Sequence, residues 1–263
     1  MGQQAIDQSN AAFWDFLCGW KLAESAGITG RGEEDLRRFD RLYLDMYPYL
    51  LPYVDGEPFA GTRVLEIGLG FGTLGQLLAE RAGEYHGLDI AQEPVAVMKQ
   101  RLEWLGKDPD HVRQGSALEL SYADEMFDYV YSIGCLHHTG DLRRAIDEVY
   151  RVLRRGGRAV VMVYYAHSLR RRMEVVRGRL HRSRDEEHLR RLYDADPAGG
   201  AAPHTDFTSR ADARQLFGRF ARTHMDVRNF DEFILGPLRI PRERFLSTFG
   251  RVVGLDLYVV ADK

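Results

Sequence analysis

Short apolar runs alternate with amphipathic stretches through the middle of the chain, and this alternation predicts the fold. Continuous apolar runs predict strands at 62–67, 85–90, 111–115, 127–132 and 158–165. Apolar positions that recur every three or four residues predict helices at 73–81, 94–105 and 141–153. Strands that alternate with helices form parallel sheets covered on both faces. The middle of the chain therefore predicts an α/β fold.

The pattern changes on both sides of this core. Residues 11–55 have helical periodicity, and residues 167–207 interrupt the alternation with an arginine-rich segment. The alternation then resumes with a predicted helix at 209–220 and two β-prone runs at 223–230 and 255–261. These flanking parts predict helices before the core, an insertion after it and a C-terminal return to the sheet.

Composition excludes several classes of protein. The chain has 263 residues and a net charge of -3, so we expect no general attraction to nucleic acid. Its two cysteines, Cys18 and Cys135, are far apart, which predicts neither a disulfide framework nor a metal site. The first ten residues lack the apolar segment of a secretion signal, and no apolar run reaches the roughly 20 residues of a membrane span. A soluble, cytoplasmic protein without a membrane partner is expected.

The sequence LEIGLGFG, residues 65–72, lies where the first predicted strand ends and a helix begins. Gly70, Gly72 and Gly75 match the G-x-G-x-x-G pattern of dinucleotide sites. Asp89 ends the second predicted strand, where a carboxylate can accept hydrogen bonds from both hydroxyls of a ribose. These features suit NAD and other adenosyl cofactors equally well.

Two observations argue against NAD. Glu66 points toward the ligand end of the first strand, where a carboxylate would repel a pyrophosphate but would suit a cationic ligand. A short-chain dehydrogenase has a tyrosine four residues before its catalytic lysine. No lysine of this chain has a tyrosine at that position; the four lysines are Lys21, Lys99, Lys107 and Lys263.

The loop LEIGLGFG, the segment YHGLDI and most of residues 114–165 resemble the motifs of class I S-adenosylmethionine-dependent methyltransferases. The similarity is greatest to the bacterial branch that includes ubiquinone/menaquinone-type and natural-product methyltransferases. It implies a Rossmann-like open sheet, mostly parallel, with an antiparallel C-terminal hairpin. It also implies N-terminal cap helices at 1–57, a cofactor-binding core at 58–166, an inserted lid at 167–207 and a completing segment at 208–263.

The resemblance also implies S-adenosylmethionine as the cofactor and assigns its contacts. The loop from Glu66 to Thr73 would pack against the methionine part, Asp89 would bind the ribose and Ile90 would cover one face of the adenine. Ser116 stands where the family usually has Asp and would contact the adenine together with the backbone of Ala117. Ile133 and Gly134 would border the methyl group. The cofactor-binding set is Glu66, Gly68, Leu69, Gly70, Thr73, Asp89, Ile90, Ser116, Ala117, Ile133 and Gly134.

Candidate catalytic and acceptor-binding residues follow the fourth and fifth strands. His137 and His138 come directly after the fourth strand, where either could accept a proton at neutral pH. The alternative is that they cap the next helix or contact the cofactor. Five further side chains are candidates for orienting the substrate, although packing would also explain them: Tyr43, Tyr47, Tyr164, Tyr165 and His167.

Three functions are therefore open. The first is methyl transfer to a small metabolite or natural-product intermediate. Residues 132–135 lack the [DN]-P-P-[FY] motif of enzymes that methylate the amines of nucleobases. The second is modification of RNA or protein by the arginine-rich insertion, and the third is cofactor binding without methyl transfer.

The insertion is predicted to be a mobile lid over a small substrate, which its arginines would suit if the substrate were anionic. Its first helix is predicted to bury Met173, Val176 and Leu180. The sequence does not indicate an oligomeric state.

Overall fold

The computed structural model describes residues 2–16, 19–181, 186–235 and 238–263. Within these ranges, a seven-stranded sheet forms the centre of the molecule. Its strands are β1 (Arg63–Ile67), β2 (Glu84–Asp89), β3 (Val112–Gln114), β4 (Phe127–Ile133), β5 (Leu153–Tyr164), β6 (Arg222–Arg228) and β9 (Asp256–Asp262). The sheet order is β3-β2-β1-β4-β5-β9-β6, and β7 (Phe233–Leu235) and β8 (Leu238–Ile240) form a separate hairpin.

The sheet confirms the predicted fold class. Strands β1 to β5 are parallel to one another, whereas β9 is antiparallel to both β5 and β6. The strand order reverses between β1 and β4, because β2 and β3 are added on one side of β1 whereas β4 and β5 are added on the other. In open α/β sheets, ligands bind at the carboxyl ends of the strands beside such a reversal. The glycine loop follows β1 at this position.

Helices cover both faces of the sheet. Before β1 come α1 (Gln3–Trp14), α2 (Trp20–Ser25), α3 (Glu33–Met46) and α4 (Pro52–Asp55). The core helices are α5 (Thr73–Arg81), α6 (Gln92–Trp104) and α7 (Leu142–Val152). The side chain of Asp141 caps α7 and accepts a 3.0 Å hydrogen bond from the backbone N–H of Arg144. After β5 come α8 (Leu169–His181), α9 (Glu186–Tyr193), α10 (Arg210–Leu216), α11 (Glu243–Leu246) and α12 (Gly250–Val253). In the described ranges, no helix combines the length and apolar character needed to cross a membrane.

The inserted segment differs from its prediction. Met173 and Val176 on α8 are 39% and 56% exposed, and the side chain of Leu180 lies outside the described residues. The buried residue is Glu174, whose carboxylate is 2.7 Å from Arg177 and 3.5 Å from His188 on α9. The predicted burial of Met173 and Val176 is therefore wrong, because ion pairing to α9 turns the polar Glu174 inward.

Candidate active site

A cavity of about 1050 Å³, measured with its open mouth, lies at the carboxyl ends of β1, β2 and β4. The fold places the ends of these three parallel strands at one edge of the sheet, so residues far apart in sequence meet there. The cavity is lined by all eleven residues of the predicted cofactor-binding set: Glu66, Gly68, Leu69, Gly70, Thr73, Asp89, Ile90, Ser116, Ala117, Ile133 and Gly134.

Glu66 lies at the floor of this first cavity and is 2% exposed. The hydroxyl of Tyr85 donates a 2.5 Å hydrogen bond to its Oε2. Burial raises the pKa of the Glu66 carboxyl group to about 8, although the bond from Tyr85 opposes this rise. A Cβ atom on Gly75 would come within 2.6 Å of Glu66 Oε2, so only glycine lets α5 pack this close to the carboxylate. The glycine pattern thus serves packing of α5 around Glu66.

Asp89 fixes the shape of the loop as well as lining the cavity. Its Oδ2 accepts a 2.7 Å hydrogen bond from the backbone N–H of Leu69, and its Oδ1 accepts one of 2.9 Å from Ala91. Burial raises the pKa of Asp89 to about 6. Each carboxylate oxygen has two lone pairs, so Asp89 can accept further hydrogen bonds from a ligand.

An ion pair that the sequence analysis missed supports the glycine loop from behind. Arg101 of α6 is 1% exposed and makes two bonds to Asp40 of α3, at 2.8 and 2.9 Å. Its Nε also donates to the carbonyl of Phe71 at 2.9 Å, and the hydroxyl of Thr73 donates to Asp40 at 2.7 Å. One signal was present in the sequence: Arg101 lies on the same helix face as the buried Val97. A buried arginine on an apolar helix face needs a partner.

Helix α1, which begins before the predicted helical region, covers the same cavity. Asp7, Asn10 and Trp14 line it. The Nδ2 of Asn10 donates a 2.7 Å hydrogen bond to the backbone carbonyl of His138, while its Oδ1 is buried without a hydrogen-bond partner. Asn10, a residue of α1 that lines the cavity, therefore has a hydrogen-bond acceptor, Oδ1, without a partner.

A second cavity of about 1530 Å³, again including its mouth, adjoins the first. Four residues line both: Trp14, Tyr43, Ile133 and Gly134. The second cavity is rich in aromatic side chains and contains the buried carboxyl groups of Asp194 and Asp256. The segment after α9 closes it, where Trp20 Nε1 donates to the carbonyl of Ala195 at 3.1 Å.

The two candidate catalytic histidines have different environments. His138 lines the first cavity, whereas His137 lines neither cavity and both of its ring nitrogens are buried without a hydrogen-bond partner. Burial lowers the pKa of both rings, most strongly at His137. His138 Nδ1 is 2.8 Å from the carbonyl oxygen of His204. Since a carbonyl only accepts, Nδ1 carries the proton and Nε2 has the free lone pair.

The candidate substrate residues also separate into two groups. Tyr43, Tyr47 and Tyr164 line the second cavity. Tyr165 is buried in the core on the opposite face of β5, and His167 is exposed beside it, with ring centroids 5.6 Å apart. Neither Tyr165 nor His167 lines either of these two cavities. Tyr165 directly follows Tyr164, the last residue of β5, and successive side chains of an extended chain point to opposite faces. The structure therefore does not support the substrate-binding expectation for these two residues.

Comparison with known proteins agrees with this geometry. Residues 65–161 match the family described as "Methyltransferase domain". The uncharacterized methyltransferase YcgJ of Bacillus subtilis is 34% identical over 128 residues, which are 49% of this chain and 50% of that protein. The demethylmenaquinone methyltransferase of Thermus thermophilus is 34% identical over 107 residues, 40% of this chain and 48% of that protein. This chain thus spans about half the length of these curated relatives.

Solved structures share the fold beyond the matched core. The crystal structure of YcgJ aligns with a TM-score of 0.54 at 21% identity, covering 83% of this chain and 98% of that chain. A possible histamine N-methyltransferase of Thermotoga maritima, solved as a SAM-dependent methyltransferase, aligns with a TM-score of 0.56 at 20% identity, over 87% of this chain and 95% of that chain. The matched family domain thus covers residues 65–161, and the shared sheet shows that most of the chain has the same Rossmann-like fold as these structures.

Proposed function

We propose that this protein transfers a methyl group from S-adenosylmethionine to a small-molecule acceptor held in the second cavity. The observation that carries the proposal is the contact between the two cavities, which share Trp14, Tyr43, Ile133 and Gly134. A cofactor in the first cavity and an acceptor in the second would meet at these residues. Several relatives are named for small acceptors, among them demethylmenaquinone and phosphoethanolamine.

The residues of the first cavity fit this cofactor. S-adenosylmethionine has ribose hydroxyls, an ammonium group and a methyl-bearing sulfonium, which is the group that it supplies to the reaction. The cavity offers hydrogen-bond acceptors and two carboxyl groups whose ionised form a cationic ligand would favour: these are Glu66 and Asp89, together with the unpartnered Oδ1 of Asn10. Phosphates, in contrast, would meet two carboxyl groups there.

Methyl transfer is an in-line displacement, so most of the rate enhancement comes from holding the two reactants in line and excluding water. The protein contributes the boundary that the two cavities share, which is built by Trp14 of α1, Tyr43 of α3, and the end of β4 with the residue that follows it. An acceptor that carries a proton on its attacking atom also needs a base. We assign that role to Nε2 of His138, whose lone pair is free, and not to His137.

Binding measurements test the cofactor assignment. We expect calorimetry to detect S-adenosylmethionine and its demethylated product but no comparable binding of NAD. Asp89→Ala should weaken S-adenosylmethionine by roughly 1.5 to 3 kcal/mol for each lost bond, since the acceptor is charged. Asp108→Ala, at an exposed carboxylate away from both cavities, is the matched control. Tighter binding of NAD than of S-adenosylmethionine would contradict the proposal.

A further inference from the structure

The unpartnered polar atoms around the two cavities are all hydrogen-bond acceptors. Among the described residues that line them, three buried side-chain atoms have no hydrogen-bond partner: Asn10 Oδ1, His138 Nε2 and Asp194 Oδ2. Buried polar groups without partners are costly and rare in folded proteins. A bound ligand that supplies donors would satisfy them.

Two of these acceptors lie together where the cavities meet. His138 Nε2, from the first cavity, is 3.6 Å from Asp194 Oδ2, from the second. With the imidazole neutral and the carboxyl group ionised, both atoms are acceptors and neither supplies a proton to the other. The imidazole proton is on Nδ1, bonded to the carbonyl of His204, and the other oxygen of Asp194 accepts a 3.0 Å bond from the hydroxyl of Tyr164. In this protonation state, a ligand with two N–H groups would supply a donor to both atoms.

The chemistry of this pair selects an amine. A hydroxyl group has one hydrogen and satisfies one acceptor, whereas a protonated primary or secondary amine has at least two and a positive charge. That charge offsets the desolvated carboxylate of Asp194. Aromatic rings of the second cavity add attraction for a cation, since their faces are negative; those nearest the pair are Trp14, Tyr164 and Tyr193.

The two cations of the second cavity, Arg170 and Lys21, have other contacts in addition to their attraction for the carboxylate of Asp194. Arg170 donates to both carboxylate oxygens of Asp231, through Nε at 2.8 Å and through Nη2, and lies over the ring of Tyr193 at 4.8 Å. Lys21 lies over the ring of Trp20 at 5.6 Å. The expectation that arginines of the insertion favour an anionic substrate thus finds little support at this cavity, because its one lining arginine is already neutralised by Asp231.

We propose that the acceptor is a primary or secondary amine whose nitrogen binds Asp194 Oδ2 and His138 Nε2 together. This inference rests on the proposed methyltransferase function and names its substrate class. Both atoms are covered in the present arrangement, so the amine enters with a small outward movement of the segment that carries Asp194. One proton of the ammonium passes to His138 Nε2 and frees the nitrogen lone pair. The lone pair forms the new N–C bond, the C–S bond breaks, and its electron pair stays on sulfur.

The test compares acceptors that share one carbon skeleton. The protein, loaded with S-adenosylhomocysteine, is titrated with 2-phenylethylamine, 2-phenylethanol and phenylacetate, and with butylamine, butanol and butyrate. Turnover of each with S-adenosylmethionine is measured in parallel. We expect binding and N-methylation of amines only. The isosteric Asp194→Asn should lower kcat/KM for amines on the order of 10- to 100-fold, as for loss of a bond to a charged group. Glu187→Gln, at an exposed carboxylate of α9, is the control and should leave it unchanged.

The outcomes separate this inference from the function on which it rests. Unchanged affinity for S-adenosylhomocysteine in Asp194→Asn shows that the variant is folded. The inference is overturned if alcohols or acids bind and amines do not, if no amine of the set binds, or if Asp194→Asn matches the unchanged protein. Failure of the unchanged protein to bind S-adenosylmethionine would instead contradict the proposed function.

Discussion

Glu66 shows how one buried side chain couples ligand binding to pH. Burial raises the pKa of its carboxyl group to about 8, so the group is largely protonated at neutral pH in the ligand-free protein. A cationic ligand favours the ionised form, so its binding lowers this pKa and releases a proton. Affinity for S-adenosylmethionine should therefore rise severalfold between pH 6 and pH 8 and level off above that pH.

Calorimetry in two buffers with different ionisation enthalpies measures both the affinity and the released proton. Glu66→Gln should bind more weakly, with a shallower pH dependence that reflects Asp89, whose pKa is about 6. Glu80→Gln, at an exposed position of α5, should behave like the unchanged protein. An affinity that is the same at pH 6 and pH 8 would show that Glu66 keeps its proton when the ligand is bound.

His138 gives a second prediction at the residue scale. Its Nε2 is free, and burial keeps the ring neutral at pH 7 by lowering its pKa. For an acceptor that carries a proton, His138→Asn should lower kcat by roughly 10² to 10⁴-fold, the range for loss of a general base, with the affinity for S-adenosylmethionine unchanged. His137→Leu, which removes a ring that lines neither cavity, should lower kcat far less. If kcat fell equally in both variants, the effect would come from packing of the loop after β4 and not from a general base.

Individual residues were predictable where the backbone alone decides their position. Asp89 is the last residue of β2 and Glu66 is the last but one of β1, so their place at the cavity follows from the fold. Strand alternation also implied that Tyr164 and Tyr165 cannot both face one cavity. Asp194 was not predictable, because its position beside His138 depends on how the insertion folds back over the sheet.

At the scale of elements, one buried ion pair connects α3, α6 and the loop before α5. Arg101→Met keeps most of the side-chain volume but leaves Asp40 and the carbonyl of Phe71 without their donor. We expect a loss of roughly 3 kcal/mol in the free energy of unfolding, as for a buried pair that loses one partner. Affinity for S-adenosylmethionine should fall as well, because the pair holds the glycine loop.

Urea denaturation and calorimetry measure these two effects. The double variant Arg101→Met with Asp40→Leu removes both charges and should recover much of the stability, since it leaves no unpaired buried charge. Recovery of stability without recovery of cofactor affinity would separate the support of the loop from general packing. No recovery in the double variant would contradict the assigned role of the ion pair.

Elements were predictable from sequence where they belong to the alternating core. Helix α5 has its predicted bounds, and the other core elements differ from prediction at their ends by a few residues, apart from β5, which begins five residues early. The sequence analysis predicts no element between the β-prone runs at 223–230 and 255–261, whereas the structure has the β7–β8 hairpin, α11 and α12 there. Helix α8 was assigned the wrong buried face. Its orientation is decided by the contact of Glu174 with α9, and periodicity within one helix does not contain that information.

At the scale of the molecule, different parts of the chain build the two cavities. The first is formed by the core strands and α1, whereas the second also needs α2, α9 and the segment after it. The two ends of the α8–α9 segment are joined by a hydrogen bond of 2.7 Å between Ser168 Oγ and the hydroxyl of Tyr193. A short Gly-Ser linker can therefore replace residues 169–192. This variant should lose turnover while its affinity for S-adenosylmethionine stays within a few-fold.

The same variant tests the alternative in which the arginines of the insertion bind RNA. Several of these arginines already have acidic partners: Arg170 pairs with Asp231, Arg177 with Glu174, and Arg191 with Glu187. This pairing and the net charge of -3 both weaken the attraction of the protein for phosphates. We expect generic RNA to bind no tighter than about 10 μM at physiological salt, and replacement of residues 169–192 to change this little. Submicromolar binding that falls steeply with added salt and is lost in the variant would instead identify α8 and α9 as an RNA platform, because such a slope counts the phosphates they neutralise.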